Sequence, residues 1–407
     1  MAILSTTLCY PHADAPTQGI FVQRRLRAIS EIMPVRVVAP VPWFPGLVGA
    51  PSENIVRTEL PPVMRPRMFY FPRVFKSLDA HWYAQALARG IDEVRRETPI
   101  DLIDAHFEWP DGVGAWRVAR KLGLLFVCTL RGKLVSQIAN ASKRRQIIEM
   151  LRGADGLIAV SQSLADLACQ VAGKTLDVRV IPNGVDAEVF HCYGDAPDAT
   201  AVSPVARREL GWYPGVKYVV SVGHLQALKG FDRLVAMWPR VRQVFGDARL
   251  VLVGGAAGEP AYERRIREQI ETSGMPTGAI TLAGRVPPET VAQMLNAADL
   301  FVLATRSEGW CNAIAEALAC GCPVVATDVG GNREVLNDWG LGWVVPLDNE
   351  EAFFERVCQG LREPRDRRRI AEIGGRRSWQ QVARECVDVF QEVLGEKQKS
   401  QKVKTST

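Results

Sequence analysis

The sequence predicts an α/β protein built from two Rossmann-like, doubly wound parallel-sheet domains, and three observations carry that expectation. Apolar strand-like runs alternate with helix-periodic runs along most of the chain. The alternation lapses in the middle, across residues 191–215, which are rich in Ala, Asp, Pro and Ser. The length of 407 residues exceeds one ordinary hydrophobic core and suits two. In such sheets a ligand lies beyond the carboxyl ends of the strands, so it is expected in a cleft between the two halves.

The first half opens with an apolar run at residues 2–10, a loop at 11–19 and a helix pattern at 20–32 that directs Phe21, Leu26 and Ile29 inward. A strand at 35–39 completes a βαβ unit, which implies a parallel sheet with a right-handed crossover. Residues 40–79 break the rhythm with Pro40, Pro42, Pro45, Pro51, Pro61, Pro62, Pro66 and Pro72 and many aromatics. An irregular segment of that length is usually functional or mobile, and we expect it to shape an acceptor pocket. Helices at 81–97, 111–122, 141–151 and 161–172 then alternate with strands at 101–107, 124–130, 156–160 and 178–181. Ser161 suits an N-cap. The turn Ile181-Pro182-Asn183-Gly184-Val185-Asp186 closes this half, since Pro fixes φ and Asn-Gly tolerates positive φ.

The second half begins at Lys217, with strands expected at 218–222, 249–253, 279–282, 300–304 and 324–326. Helices at 231–244, 262–273 and 289–296 lie between them, and helices at 350–363, 366–373 and 379–394 finish the chain. The predicted organisation is a first domain over 1–190, a linker over 191–215, a second domain over 216–378 and a last helix over 379–396. Residues 397–407 are polar, lack an apolar pattern and are expected to be disordered.

Composition removes several classes of function. A net charge of +5 does not call for nucleic acid. Nine cysteines, an odd count with no C-x-x-C pair, suit reduced thiols in the cytoplasm and argue against a zinc site. The longest apolar run is too short to span a bilayer, and the first residues lack a secretory-signal pattern. Arg65, Arg67, Arg73 and Lys76 are interleaved with Met64, Met68, Phe69, Tyr70, Phe71 and Phe75, and Lys143-Arg144-Arg145 form a second basic cluster. Such a mixture suits peripheral contact with the inner face of an anionic membrane, or equally a charged surface over buried aromatics.

The chain is organised around Ser307-Glu308-Gly309-Trp310-Cys311-Asn312-Ala313-Ile314-Ala315-Glu316-Ala317-Leu318-Ala319-Cys320-Gly321-Cys322-Pro323. Asn312 can cap a helix, residues 313–320 propagate it, and Gly321 and Pro323 end it. The amides at its start offer an anion site. Glu308 lies in the loop, and Glu316 is the single charge inside an apolar helix, so it is either a solvated surface residue or part of a site. Ser221-Val222-Gly223-His224…Lys229-Gly230 follows a predicted strand, and a Gly loop with a Lys before a helix suits a phosphate.

Residues 307–323, with the turn Asp328-Val329-Gly330-Gly331, resemble the E-x7-E signature of the retaining family 4 glycosyltransferases, whose fold is GT-B. The resemblance is strong over 299–331, good over 180–186 and 221–230, and weaker in the first half, where residues 10–23 and 38–43 are similar to bacterial enzymes of the teichuronic-acid type. It implies transfer of a sugar from a UDP- or GDP-linked donor to a saccharide or lipid-linked acceptor, with no cofactor and no metal required. It places Glu308 by the donor sugar and Glu316 on the ribose hydroxyls. Gly19, Lys229 and the amides of Asn312, Ala313 and Ile314 would lie along the diphosphate, and the backbone around Arg285 at the base. His106, at a predicted strand end, matches a histidine near the donor sugar. Glu308, His106 and Lys229 are the implied catalytic residues. The last helix would cross back onto the first domain, and domain closure would complete the site.

Departures from that pattern matter as much. His224 stands where relatives carry an arginine, which weakens the positive charge at neutral pH and leaves room for another cation. Arg131 stands where relatives carry a histidine, and is the expected contact for an anionic acceptor. A single Gly19 replaces a pair. The loop at residues 253–258 and the Gly112-Val113-Gly114 stretch lack dinucleotide spacing, so a dehydrogenase is not supported. Cys311 has no base at triad-like spacing and is read as filling shape. Two rivals remain at this point: a nucleotide-sugar epimerase of the same fold, which would turn over donor alone, and a binding protein for nucleotide sugars or glycans, which would bind without turnover.

Overall fold

The computed structural model describes residues 2–12, 15, 18–44, 55–56, 59–72, 74–256, 258–336 and 340–405. Arg73, Pro45, Pro51, Ala257 and parts of the 11–19 loop lie outside the described residues. The chain divides into two units, Met1–Gly184 with Trp379–Thr407, and Val185–Ser378.

Among the described residues, the first unit holds ten strands: β1 (Ile3–Thr6), β2 (Val35–Val38), β3 (Val41–Trp43), β4 (Ile55–Val56), β5 (Val63–Met64), β6 (Arg67–Phe69), β7 (Leu102–His106), β8 (Leu125–Leu130), β9 (Gly156–Ala159) and β10 (Val178–Val180). Eight form one sheet in the order β10-β9-β8-β7-β1-β2-β5-β4, parallel except for the edge pair β4–β5. β3 and β6 pair separately inside the proline-rich segment. Crossover helices have ordinary stops. The helix Gln162–Ala172 begins under Ser161, whose hydroxyl accepts from the amide of Leu164, and ends at Gly173 with φ 66°.

The helix Trp379–Thr405 belongs to this first unit. Trp379, Val382, Cys386, Phe390 and Val393 pack with Ile3, Val22, Leu26, Ile29 and Val127 in one core. Each large apolar side chain so buried contributes about 1.5–3 kcal/mol. The helical backbone runs on to Thr405, past residue 397 where composition predicts disorder. Lys, Gln and Val there include good helix formers, and neither Gly nor Pro interrupts them.

The second unit carries β11 (Tyr218–Val222), β12 (Arg249–Val253), β13 (Ile280–Gly284), β14 (Leu300–Leu303), β15 (Val324–Thr327) and β16 (Gly342–Val345), all parallel, in the order β13-β12-β11-β14-β15-β16. The stretch 191–215, expected as a linker, is built into this unit. Asn296, 2% exposed, donates to the carbonyl of His191 and accepts from the amide of Tyr193. The helix Pro204–Glu209 then packs against the helix Pro288–Ala297.

Candidate functional site

In the second unit, two adjacent strand ends bring Lys229 and Glu308 together. β11 leads through Gly223 and His224 into the turn Ala227–Lys229, and its neighbour β14 leads through Ala304 into the loop that carries Glu308. Nζ of Lys229 lies 2.5 Å from Oε1 of Glu308, with the two side chains 19% and 10% exposed. Burial alone would lower the Lys229 pKa, but the Glu308 carboxylate outweighs it and holds the ammonium above its ordinary value.

Both backbones are fixed by their surroundings. The carbonyl of Leu228 accepts from the Thr305 hydroxyl at 3.0 Å and from the Arg306 amide at 2.8 Å. Arg306 pairs with both carboxylate oxygens of Asp232, at 3.1 and 2.8 Å. Gly230, with φ 71°, leaves no room for a side chain, because a Cβ would sit 2.0 Å from the carbonyl of Ala304. Under the other partner, a Cβ on Gly330 would sit 1.7 Å from the carbonyl of Glu308.

The helix Asn312–Ala319 begins one residue earlier than expected. Its cap position is Cys311, whose side chain makes no capping bond to a main-chain amide in the usual geometry, and Asn312 is the first helical residue. An apolar setting fills the cap position with a buried thiol. Burial pushes the Cys311 thiol up to about 12, which removes it as a nucleophile. Ala313 and Ile314 occupy the first turn, free of acidic residues, and Glu316 is half-buried on the same helix. That helix packs on Arg367–Gly374, where Gly374 admits Leu318 and buried Arg367 caps the carbonyls of Leu295, Asn296 and Ala298.

His224 is not a cation here. Desolvation of its ring, then the charges of Lys229 and Arg285, hold its pKa below the ordinary value. The second cation beside it is Arg285, exposed after Gly284, with its Nε placed near the backbone of Gly255. The positive charges that act on the His224 ring are those of Lys229 and Arg285.

In the first unit, Asp104 and His106 alternate with Ala105 on β7 and so share one face, and Ser5 on β1 stands in register with Asp104. The Ser5 hydroxyl donates to Asp104 Oδ2 at 3.0 Å and lies 2.9 Å from Nε2 of His106. Arg131, just past β8, donates through Nε to Nδ1 of His106 at 3.3 Å and through Nη1 to Asn183 at 3.1 Å. With Nδ1 accepting, the imidazole proton is on Nε2 and faces Ser5 and Asp104. Burial lowers the His106 pKa to about 4, and the charges of Arg131 and Arg25 add to that against Asp104.

Both residues singled out in the sequence are engaged within this unit. His106 is 0% exposed, with Ser5 and Asp104 at one ring nitrogen and Arg131 at the other. Arg131 is 8% exposed and its guanidinium bonds His106 and Asn183. Both lie on strand ends, as predicted, but their side chains turn into the sheet's own core.

Gly19 opens the helix Ile20–Ser30 with φ 68°, and a Cβ there would sit 1.9 Å from the carbonyl of Cys9. The first turn of that helix has no acidic residue. Sequence reasoning missed Glu108 and Arg25. Glu108 is 0% exposed, accepts from the amide of Arg131 at 3.1 Å, and is driven up to about 7 by burial. Arg25 is 1% exposed within an amphipathic helix, where an arginine at a core-facing position was the available signal.

The family model described as Glycosyl transferases group 1 matches residues 202–377, and that described as Glycosyltransferase Family 4 matches residues 35–189. The chain is 29% identical to a D-inositol 3-phosphate glycosyltransferase of Segniliparus rotundus over 69% of its own length and 64% of that protein's. It is 27% identical to the putative teichuronic acid biosynthesis glycosyltransferase TuaC of Bacillus subtilis, over 81% of this chain and 82% of the relative. Among solved structures, sucrose-phosphate synthase from Thermosynechococcus elongatus superposes with a TM-score of 0.80 at 19% identity, covering 97% of this chain and 99% of that one. Anabaena HepE in complex with UDP-glucose superposes with a TM-score of 0.73 at 19% identity, covering 96% and 100%.

Proposed function

The chain belongs to the family 4 glycosyltransferases of the GT-B fold, and from that premise we propose that it is a retaining enzyme using a UDP- or GDP-linked sugar donor. The observation that carries the reading is the Lys229–Glu308 pair, set by two adjacent strand ends at the rim of the second sheet. Cleavage at the anomeric carbon leaves negative charge on the diphosphate, and a cation positioned there lowers the barrier. Lys229 and Arg285 would supply that charge without a metal, assisted by the amides of Asn312, Ala313 and Ile314. Glu308 would meet the sugar hydroxyls and Glu316 the ribose. Retention is what the resemblance of the Glu308–Glu316 stretch to the retaining enzymes implies, and is read by NMR of the product's anomeric proton.

His106 and Arg131 take a different role from the one their positions first suggest: they brace Asn183 and the strand ends. For the acceptor we propose a saccharide or lipid-linked saccharide in the synthesis of cell-surface polysaccharide or glycolipid. The name of the TuaC relative and its coverage support this. Val74, Phe75 and Leu78, which are 51%, 62% and 45% exposed beside Lys76, support peripheral contact with an anionic membrane. Among the described residues, no helix is long and apolar enough to cross one.

The test is thermal stabilisation by UDP, GDP and ADP, each alone, followed by nucleotide release from the matching sugar donors with and without saccharide acceptors. A ligand that binds only the folded chain raises its melting temperature. Stabilisation by one nucleotide and acceptor-dependent release support the reading. Turnover of donor without acceptor would favour an epimerase, and binding without turnover a binding protein.

A further inference from the structure

We infer that Glu308 sets a preference for the intact sugar nucleotide over the bare nucleoside diphosphate, by holding Lys229 in an ion pair that any bound phosphate must share. The inference rests on the donor reading above and goes beyond it, because it concerns which of two ligands the same site retains.

The pair is close and poorly solvated, at 2.5 Å with Glu308 10% exposed. Neither partner can withdraw by a backbone shift. Gly330 packs directly beneath the Glu308 carbonyl, and the Leu228 carbonyl next to Lys229 is held by Thr305 and Arg306. Any phosphate that Lys229 grips therefore lies within reach of the Glu308 carboxylate. The neighbouring Cys311 thiol is un-ionised and buried, so it adds no charge to this balance.

The two ligands differ at that point. The terminal phosphate of a nucleoside diphosphate has a second ionisation near pH 6, so at neutral pH it carries an extra negative oxygen. In a site with little water, that oxygen is repelled by Glu308 and must draw Lys229 away from it. In the sugar nucleotide the same oxygen is esterified. The sugar also brings hydroxyls that can donate to Glu308 in place of the lysine N–H. Glu308 thus opposes the leaving nucleotide and favours the donor. After transfer, the species left in the site is the one it holds less well.

The test is isothermal titration of the full-length chain with three matched pairs: UDP and UDP-glucose, GDP and GDP-mannose, ADP and ADP-glucose. Wild type should bind one sugar nucleotide more tightly than its bare diphosphate. Glu308→Gln should bind that diphosphate about tenfold more tightly than wild type does and the sugar nucleotide less tightly, which reverses the order. Glu308→Ala removes the same charge and carries the test if Glu308→Gln melts early, and Glu308→Asp, which keeps the charge, should stay near wild type. If wild type binds a pair and removal of the Glu308 charge leaves the diphosphate affinity unchanged or lower, the inference is wrong while the donor reading stands. If wild type binds none of the six ligands, the donor reading falls and takes the inference with it.

Discussion

Arg131 holds His106 by its Nδ1, with Nε 3.3 Å and Nη2 3.2 Å from that nitrogen. Asp104 and Ser5 hold the other side of the ring. A fully buried network of this kind stabilises only while every member is present. His106→Ala leaves the Arg131 guanidinium without its acceptor, and should lower unfolding free energy by about 2–3 kcal/mol in urea. Unchanged stability would show that the network is slack.

The same region should respond to pH in two opposite ways. His106 titrates near 4 in the fold against an ordinary 6.5, so its contribution is present above pH 6.5 and lost as pH falls through 4. Glu108 titrates near 7 against an ordinary 4.5, so its contribution is present below 4.5 and lost as pH rises through 7. Relative to wild type, Glu108→Gln should therefore gain stability from pH 4.5 to 7, and His106→Asn should gain as pH drops from 6.5 to 4. Urea midpoints at pH 5 and pH 8 read both signs.

Lys229→Ala and Glu316→Ala should each reduce kcat/KM for transfer by about 100-fold or more, with the circular dichroism spectrum unchanged. Lys229 is 19% exposed on its side chain and Glu316 is half-buried, so neither substitution opens a core cavity. Wild-type rates in both variants would overturn the site assignment.

Two glycines with similar dihedral angles should behave differently. Gly123 has φ 66° with nothing within 4 Å of an added Cβ, so Gly123→Ala carries backbone strain alone, about 1 kcal/mol. Gly330 has φ 52° and the Glu308 carbonyl 1.7 Å from an added Cβ. Gly330→Ala should cost more than about 2 kcal/mol and also slow transfer, since Glu308 must move. Melting temperature and kcat measured together separate the two cases.

Arg285 and His224 should contribute unequally to donor binding. Arg285→Ala should weaken nucleotide affinity about tenfold in titration calorimetry, with the difference shrinking in high salt. His224→Ala at pH 7.5 should change affinity little, because desolvation and the nearby Lys229 and Arg285 charges keep that ring neutral. A large loss for His224→Ala would assign it a direct contact.

Most of the α/β alternation was legible because parallel strands buried on both faces are continuous apolar runs, as in β8 and β14. Ser161 and Gly173 mark their helix ends through local chemistry, and the structure uses both as caps. The short strands β3, β5 and β6 were hidden, since two or three residues among prolines carry no period. The β16 strand was hidden as well: Gly342–Val345 is four residues long and mostly half-buried. In the candidate site, Lys229, Glu308, His106 and Arg131 could be singled out along the chain, Glu108 and Arg25 were not, and the pairings were hidden. Lys229 and Glu308 are 79 positions apart, and His106 and Arg131 are 25 apart. Only the strand order brings each pair together, and a pattern along the chain cannot report it. The burial of His106 was hidden for the same reason: a strand end can present its last side chain outward or inward, and Arg131 decides which.

The last helix also has a consequence for how the protein is made. Trp379 to Leu394 supply one wall of a core whose other walls come from residues near the start, including Ile3, Val22 and Leu26. During translation the unit begun first cannot complete this core until residues 379–394 have left the ribosome. Val185–Ser378, by contrast, holds its own sheet and core and can fold earlier. The nascent chain therefore exposes an unfinished apolar face on the first unit until residues 379–394 have emerged. A stop codon before residue 379 would damage the half of the molecule encoded furthest from it.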